Sequence, residues 1–225
     1  MIQKDLGRAT LINADCMEVL RETPDKAFDL AIVDPPYFTE ANLHYHNGSG
    51  VSRTNVRRNN YHKCQKWKVP TQEYYKQLVR VSKDQIIWGV NYYNFSGVPH
   101  GRIVWDKKRT GLIKSFSDAE IASCSKIKGV RIFRFRWDGM LQEDMKNKEE
   151  KIHITQKPVA LYKWLLANYA NPGDKILDTH LGSGSICIAC DDLGFRMTGI
   201  ELDPYYYEAA CKRLINHRLQ QRLFY

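Results

Sequence analysis

The sequence predicts an α/β fold: a doubly wound, mainly parallel sheet with helices on both faces and an antiparallel edge. Three observations carry this prediction. Apolar runs of strand length alternate with helical stretches along most of the chain. Two of those runs end abruptly in polar, turn-forming residues, Phe28–Val33 in Asp34-Pro35-Pro36-Tyr37 and Lys175–Asp178 in a glycine-containing loop. Late strand-like segments follow one another through short connections, which favours antiparallel pairing at one edge.

Taken in order, Ala9 to Asn13 reads as a strand and Cys16 to Glu22 as a helix. Phe28 to Val33 is the next strand, stopped by two prolines that cannot donate to a sheet ladder. Thr71 stands in the cap position of a helix over Gln72–Val81. Gln85 to Val90, Gly101 to Trp105, Ala119 to Ser123 and Val130 to Trp137 read as strands. Pro158 opens a helix to about Ala170, closed by Asn171-Pro172-Gly173. Lys175–Asp178 is a short strand, Ile186–Cys190 an apolar helix and Arg196–Glu201 the next strand. Asp203-Pro204 caps the last helix, which carries Tyr207, Ala210, Cys211 and Leu214 on one face.

Two of these strand ends hold chemistry. Asp34 and Tyr37 present a carboxylate and an aromatic ring at the carboxyl end of a strand, where open α/β sheets bind ligands. The loop after Asp178 contains Gly182 and Gly184, which let the backbone approach a ligand, and the helix behind it offers free N–H groups. Glu201 ends the following strand, where an acid accepts hydrogen bonds from ribose hydroxyls. Strand, loop, helix, strand and acid in that order describe a nucleoside site.

Together, Asp34-Pro35-Pro36-Tyr37, Asp178-Thr179-His180-Leu181-Gly182-Ser183-Gly184-Ser185 and Glu201 resemble the amino-methyltransferases that modify exocyclic nitrogens of DNA bases with S-adenosylmethionine. The Asp-first form of the motif looks like the adenine-N6 members; cytosine-N4 members more often begin with Ser. His153-Ile154-Thr155-Gln156-Lys157-Pro158 is similar to a segment that precedes the cofactor loop in a permuted subgroup, with the catalytic motif first and that loop last. The resemblance implies a Rossmann-like methyltransferase fold over residues 1–225 as a single domain, with 38–68 and 138–152 outside the matched pattern. It implies Asp34, Pro35, Pro36 and Tyr37 as the catalytic set. It implies Asp15, Lys157, Asp178, His180, Gly182, Ser183, Gly184, Ser185 and Glu201 at the cofactor, with Asp15 meeting its adenine. The family usually has Phe where this chain has His180 and Thr where it has Ser185.

A net charge of +9 points to a polyanionic partner, and the resemblance makes that double-stranded DNA. Residues 38–68 carry Arg53, Arg57, Arg58, Lys63, Lys66 and Lys68 against the single acid Glu40, with almost no apolar periodicity. Leaving directly from Tyr37, the segment reads as a DNA-contacting lid that orders on binding. Arg131, Arg134 and Arg136, interleaved with Phe133, Phe135 and Trp137, fit either a second basic-aromatic contact or an amphipathic edge strand. The 138–152 stretch reads as a polar insertion. Homodimers are common in the subgroup, and no residue here by itself indicates one.

No apolar run approaches the roughly 20 residues that span a bilayer, and Met1–Asp5 does not read as a signal peptide. Six scattered cysteines suit a reducing cytosol, here that of a bacterial or phage-infected cell, beside its nucleoid DNA. Cys187 and Cys190 read as packing residues of an apolar helix; His44, His46, His62 and Cys64 match no common metal-ligand spacing.

The expected chemistry is methyl transfer to an adenine N6. Asp34 and the Pro35 carbonyl accept hydrogen bonds from the amine, and Tyr37 stacks on the flipped base. Phe38 is either a second stacking wall or a core residue. Alternatives are the same chemistry on cytosine N4, RNA or a protein glutamine, and a non-catalytic nucleic-acid-binding protein that keeps the cofactor fold.

Overall fold

Among the described residues, nine strands form one twisted sheet in the order β1-β2-β11-β10-β3-β4-β6-β5-β7. The structure, a computed structural model, describes residues 1–38, 61–62, 67–109, 117–138 and 141–222. The strands are β1 (Ile2–Leu6), β2 (Ala9–Asn13), β3 (Phe28–Val33), β4 (Ser82–Trp88), β5 (Arg102–Asp106), β6 (Ala119–Cys124), β7 (Val130–Arg134), β10 (Lys175–Asp178) and β11 (Arg196–Glu201). β8 (Trp137–Asp138) and β9 (Leu141–Gln142) pair with each other in a separate antiparallel ribbon. The helices are α1 (Cys16–Glu22), α2 (Gln72–Val81), α3 (Val159–Tyr169), α4 (Ser185–Leu193) and α5 (Pro204–Arg222).

The central strands β2, β11, β10, β3 and β4 run parallel. Their side chains alternate between two cores, as a period of two residues requires. Leu30, Ile32, Ile86, Trp88 and Ile176 face α3, α4 and α5, packing with Leu161, Leu165, Ile186, Ala210 and Leu214. Ala31, Val33, Ile87, Leu177 and Ile200 face the other way onto α1 and α2, through Leu20, Tyr74, Tyr75 and Leu78. A fully buried side chain such as Leu30 contributes roughly 1.5–3 kcal/mol by leaving water. Helices therefore cover both faces, and β10 lies beside β3 as the family-like order requires.

The structure adds and corrects some boundaries. β1 forms an antiparallel edge against β2 that the sequence reading leaves out, because Ile2-Gln3-Lys4-Asp5-Leu6 is mostly exposed and lacks an apolar face. The antiparallel strand among the late segments is β6; β7, at the far edge, runs parallel to β5. The expected continuous strand from Val130 to Trp137 breaks after Arg134, and Trp137 joins the small ribbon. Arg131 and Arg134 sit on edge strand β7, with Arg134 reaching Asp106, while Phe133 and Phe135 stack and Phe133 packs on Trp164. Thr71 occupies the cap position of α2 but makes no side-chain cap bond, whereas Asp203 accepts from Tyr205 N–H at 2.8 Å to cap α5. Cys187 and Cys190 are buried free thiols whose pKa burial pushes up, in keeping with packing. Among the described residues no helix is long and apolar enough to cross a membrane.

Candidate active site

β3 and β10 carry Asp34 and Asp178 to the same edge of the sheet, in register through Leu30–Ile176 and Ala31–Leu177. Around Asp34 the structure closes a ring of hydrogen bonds. Lys157 Nζ, from the segment leading into α3, lies 2.5 Å from Asp34 Oδ2 and 2.8 Å from Glu120 Oε2. Tyr37 Oη lies 2.7 Å from Asp34 Oδ1 and 3.1 Å from Glu120 Oε2, so its one proton has two acceptors. Lys157 also donates to Tyr37 Oη at 3.1 Å. Lys107 holds the other Glu120 oxygen at 2.6 Å.

The electrostatics follow from burial and this alternation of charge. Burial raises the Asp34 carboxyl above its ordinary value; Lys157 opposes that shift and the Glu120 charge adds to it. Burial alone would raise Glu120 as well, but Lys157 and Lys107 outweigh it and hold Glu120 down at about 2. Burial alone would lower Lys157, and the two carboxylates raise it. Burial and both carboxylates push Tyr37 well up, so its hydroxyl remains a donor.

The 3-10 turn Val90–Tyr92 after β4 shapes the wall beside this ring. Tyr92 stacks on Tyr37 with ring centroids 4.9 Å apart and planes at 15°. Tyr93 donates its hydroxyl to the Pro35 carbonyl at 2.6 Å. Gly89 begins the turn with φ +72°, and a Cβ there would lie 2.0 Å from the Tyr37 ring. One face of the expected stacking ring is thus already covered by Tyr92. Phe38 is 46% exposed and meets Tyr92 edge-on at 5.1 Å, so it is not a core residue.

The second half of the site gathers at the ends of β10 and β11. Glu201 accepts from Gly182 N–H at 2.7 Å and from Asp203 N–H at 2.9 Å, which ties the glycine loop to the neighbouring strand end. Burial raises Glu201 to about 7 and Asp178 to about 8. Asp178 Oδ1 accepts from His180 N–H at 3.0 Å, while buried Oδ2 has no hydrogen-bond partner among the described residues. His180 contacts Thr179 Oγ1 through Nδ1 at 2.9 Å and meets Tyr74 edge-on; burial lowers it to about 4, so the ring is neutral. Gly184 has φ +70° and lies so close to α5 that a Cβ would come within 3.0 Å of the Ala210 Cβ. Ser185 points inward, accepting from Arg213 Nη1 at 2.9 Å, and Ser183 Oγ lies 3.1 Å from it. Asp15 is exposed and caps α1 through Met17 N–H, while Asn13 Nδ2 donates to the Glu201 carbonyl at 2.8 Å. An unpartnered buried carboxylate oxygen, a ribose-type acid and a positive-φ loop suit a nucleoside that carries a cationic amine, as S-adenosylmethionine does.

The structure therefore brings Asp34, Pro35 and Tyr37 into one cluster, with Pro36 between them, and Asp178, His180, Gly182, Ser183, Gly184, Ser185 and Glu201 into the other. Lys157, expected at the cofactor, sits on Asp34 instead. Asp15 is linked to the cofactor half only through the Asn13–Glu201 tie. Arg53, Arg57, Arg58, Lys63 and Lys66 lie outside the described residues; Lys68 is exposed. Glu120, Tyr92 and Tyr93 were not picked out from the sequence, although an acid inside an apolar strand and a tyrosine pair after Gly89 were visible there.

The family described as DNA methylase matches residues 57–212. The type II methyltransferase M.HinfI of Haemophilus influenzae is 26% identical over 91% of this chain and 68% of its own length. The putative methylase YubD of Escherichia coli strain K12 is 25% identical over 93% of this chain and 92% of its own. Among solved structures, the M1.HpyAVI–SAM complex superposes with a TM-score of 0.57 at 20% identity, covering 92% of this chain and all of that one. The cytosine-N4-specific PvuII DNA methyltransferase gives 0.58 at 12% identity over 90% of this chain and 85% of that one. These structural likenesses bear on the fold.

Proposed function

This chain belongs to the DNA methylase family and is an S-adenosylmethionine-dependent DNA methyltransferase, and from that premise we propose that its target is the exocyclic N6 of a flipped adenine. The observation that carries the reading is the placement of Asp34, first residue of the Asp-Pro-Pro-Tyr motif, one strand away from the glycine loop.

Asp178, Gly182 and Glu201 would hold the cofactor, the Asp178 carboxyl facing its cationic amine and Glu201 its ribose. When bound, the cofactor supplies an electrophilic methyl group on a sulfonium. An exocyclic amine is a poor nucleophile because its lone pair is delocalised into the ring. Asp34 and the Pro35 carbonyl accept its hydrogens, turn the nitrogen towards tetrahedral geometry and face the positive charge that grows there. Alignment by the rigid strand end supplies much of the remaining acceleration. A base in a duplex cannot reach this edge, so the adenine leaves the stack. Because Tyr92 covers one face of Tyr37, the base either takes the place of Tyr92 or packs on the exposed Phe38. Arg53, Arg57, Arg58, Lys63, Lys66 and Lys68 contact DNA phosphates and position the duplex.

The test is nucleoside mass spectrometry on DNA incubated with the protein and isotopically labelled cofactor. Labelled N6-methyladenine is the expected product; labelled N4-methylcytosine would move the reading to the other branch of the family.

A further inference from the structure

Glu120 has no role in the scheme so far, yet it is the most heavily engaged carboxylate of the cluster. Its Oε2 receives Lys157 at 2.8 Å and Tyr37 at 3.1 Å, and its Oε1 receives Lys107 at 2.6 Å. It enters from β6, a strand distant in sequence from both motifs. A largely buried acid held by three donors is costly to desolvate, so its placement calls for a physical reason.

Two reasons emerge from the geometry. In the structure both Asp34 oxygens are taken, Oδ2 by Lys157 and Oδ1 by Tyr37. A substrate amine needs one of them. Lys157 is bound by charge on both sides and stays, whereas the Tyr37 hydroxyl has a second acceptor waiting at Glu120. The second reason is charge. Lys157 cancels Asp34, and a cancelled pair attracts a developing cation weakly. Glu120 cancels Lys157 in turn and leaves Asp34 its field. Lys107 binds the Glu120 oxygen that points away from Lys157 and Tyr37, so it perturbs the reacting nitrogen least.

We propose that Glu120 is a positioning residue for methyl transfer, which offsets the Lys157 charge beside Asp34 and takes over the Tyr37 hydroxyl when the target amine claims Asp34. This rests on the amine-directed reading above. During transfer the new bond joins methyl carbon to nitrogen, the carbon–sulfur bond breaks with its electrons going to sulfur, and the nitrogen then gives up one proton to solvent water. Glu120 forms no bond in that sequence; it acts through Asp34 and Tyr37.

Single-turnover methyl transfer to unmethylated DNA tests this, with cofactor and DNA dissociation constants measured separately. Glu120→Gln keeps the shape and an acceptor for Tyr37 but loses the charge. It should slow transfer about tenfold, less than the ~10²–10³ typical of a group that touches the reacting atoms, with both dissociation constants within about twofold of wild type. Glu120→Asp should restore part of the rate. In a Lys157→Met background, where Asp34 has no ammonium beside it, Glu120→Gln should cost much less. An unchanged rate for Glu120→Gln would overturn the assignment, as would a loss confined to binding or one that persists undiminished beside Lys157→Met. Should Glu120→Gln fail to fold, Glu120→Asp against wild type reads the same rate-versus-binding split. A wild-type protein that binds cofactor and DNA but methylates neither base would overturn the amine-directed reading along with it, whereas normal wild-type transfer with an indifferent Glu120→Gln overturns this inference alone.

Discussion

Lys157 Nζ meets Asp34 Oδ2 at 2.5 Å across 123 residues of sequence, and both side chains are shielded from solvent. Burial pushes the Asp34 carboxyl up, and the Lys157 ammonium opposes that push.

Asp34→Asn should therefore abolish most of the transfer while sparing the cofactor, because the cofactor half hangs on Glu201 and Asp178. A loss of about 10²–10³ in single-turnover rate is expected, with a cofactor isotherm close to wild type. Near-normal turnover would remove Asp34 from the mechanism.

Glu201 does two things at once, accepting from the loop at Gly182 and from Asp203. Glu201→Ala should weaken cofactor binding by roughly 1.5–3 kcal/mol, the range for hydrogen bonds to a charged group. Calorimetry gives the binding change, and circular dichroism verifies that the fold persists; unchanged affinity in a folded variant would contradict the ribose role.

Asp178 sets a pH dependence of stability. Its folded value is about 8, far above that of an exposed carboxyl, so the folded chain retains a proton that the unfolded chain has released. Stability from this group is complete below about pH 4 and is lost as pH rises through 8. Asp178→Asn removes that loss. Thermal melts without cofactor should show the variant gaining on wild type between pH 5 and pH 8.5, while its cofactor affinity falls. A constant difference across that range would mean that Oδ2 is satisfied in solution.

Gly89→Ala combines a left-handed backbone with a methyl group aimed at the Tyr37 ring. The backbone alone costs about 1–2 kcal/mol, and the ring must also leave its stack on Tyr92. A lower melting temperature together with a changed near-ultraviolet circular dichroism is expected; a melt unchanged from wild type would mean that the turn relaxes freely.

For DNA, the double substitution Arg57→Ala with Arg58→Ala should weaken specific and random duplexes by similar factors. It should also reduce the log–log salt slope by about two, at about 0.9 per phosphate contact. Selective loss of the specific site would instead indicate guanine readout. An unchanged slope and affinity would place the DNA elsewhere.

Much of the architecture was legible because it is written locally. β2, β3, β11, α1 and α2 have the bounds that their sequence patterns suggest; Pro35 and Pro36 stop β3 and Asp15 caps α1, each acting on its immediate neighbours. The pairing of β3 with β10 needed the family resemblance, as no periodicity says which strands lie side by side. Lys157 was assigned from the company it keeps in sequence, but its ammonium is long enough to cross to β3 and goes to the strongest buried charges. Glu120 gave no signal beyond being an acid in a strand, because its partners arrive from three separate segments. β1 escaped because an edge strand facing water carries no apolar stripe.

The strand order has a kinetic consequence. β2 and β3 are near neighbours in sequence, yet β11 and β10 lie between them in the sheet. Until Lys175–Glu201 has left the ribosome, the inner edges of β2 and β3 have no partner, and the face of Leu11, Leu30 and Ile32 lacks α4 and α5, two of its three covering helices. The chain thus waits for its last quarter before the centre of the sheet can close, a topology of long loop closures that folds slowly and exposes strand edges meanwhile. Chains truncated before β10 should be substrates for chaperones and proteases rather than half-formed enzymes.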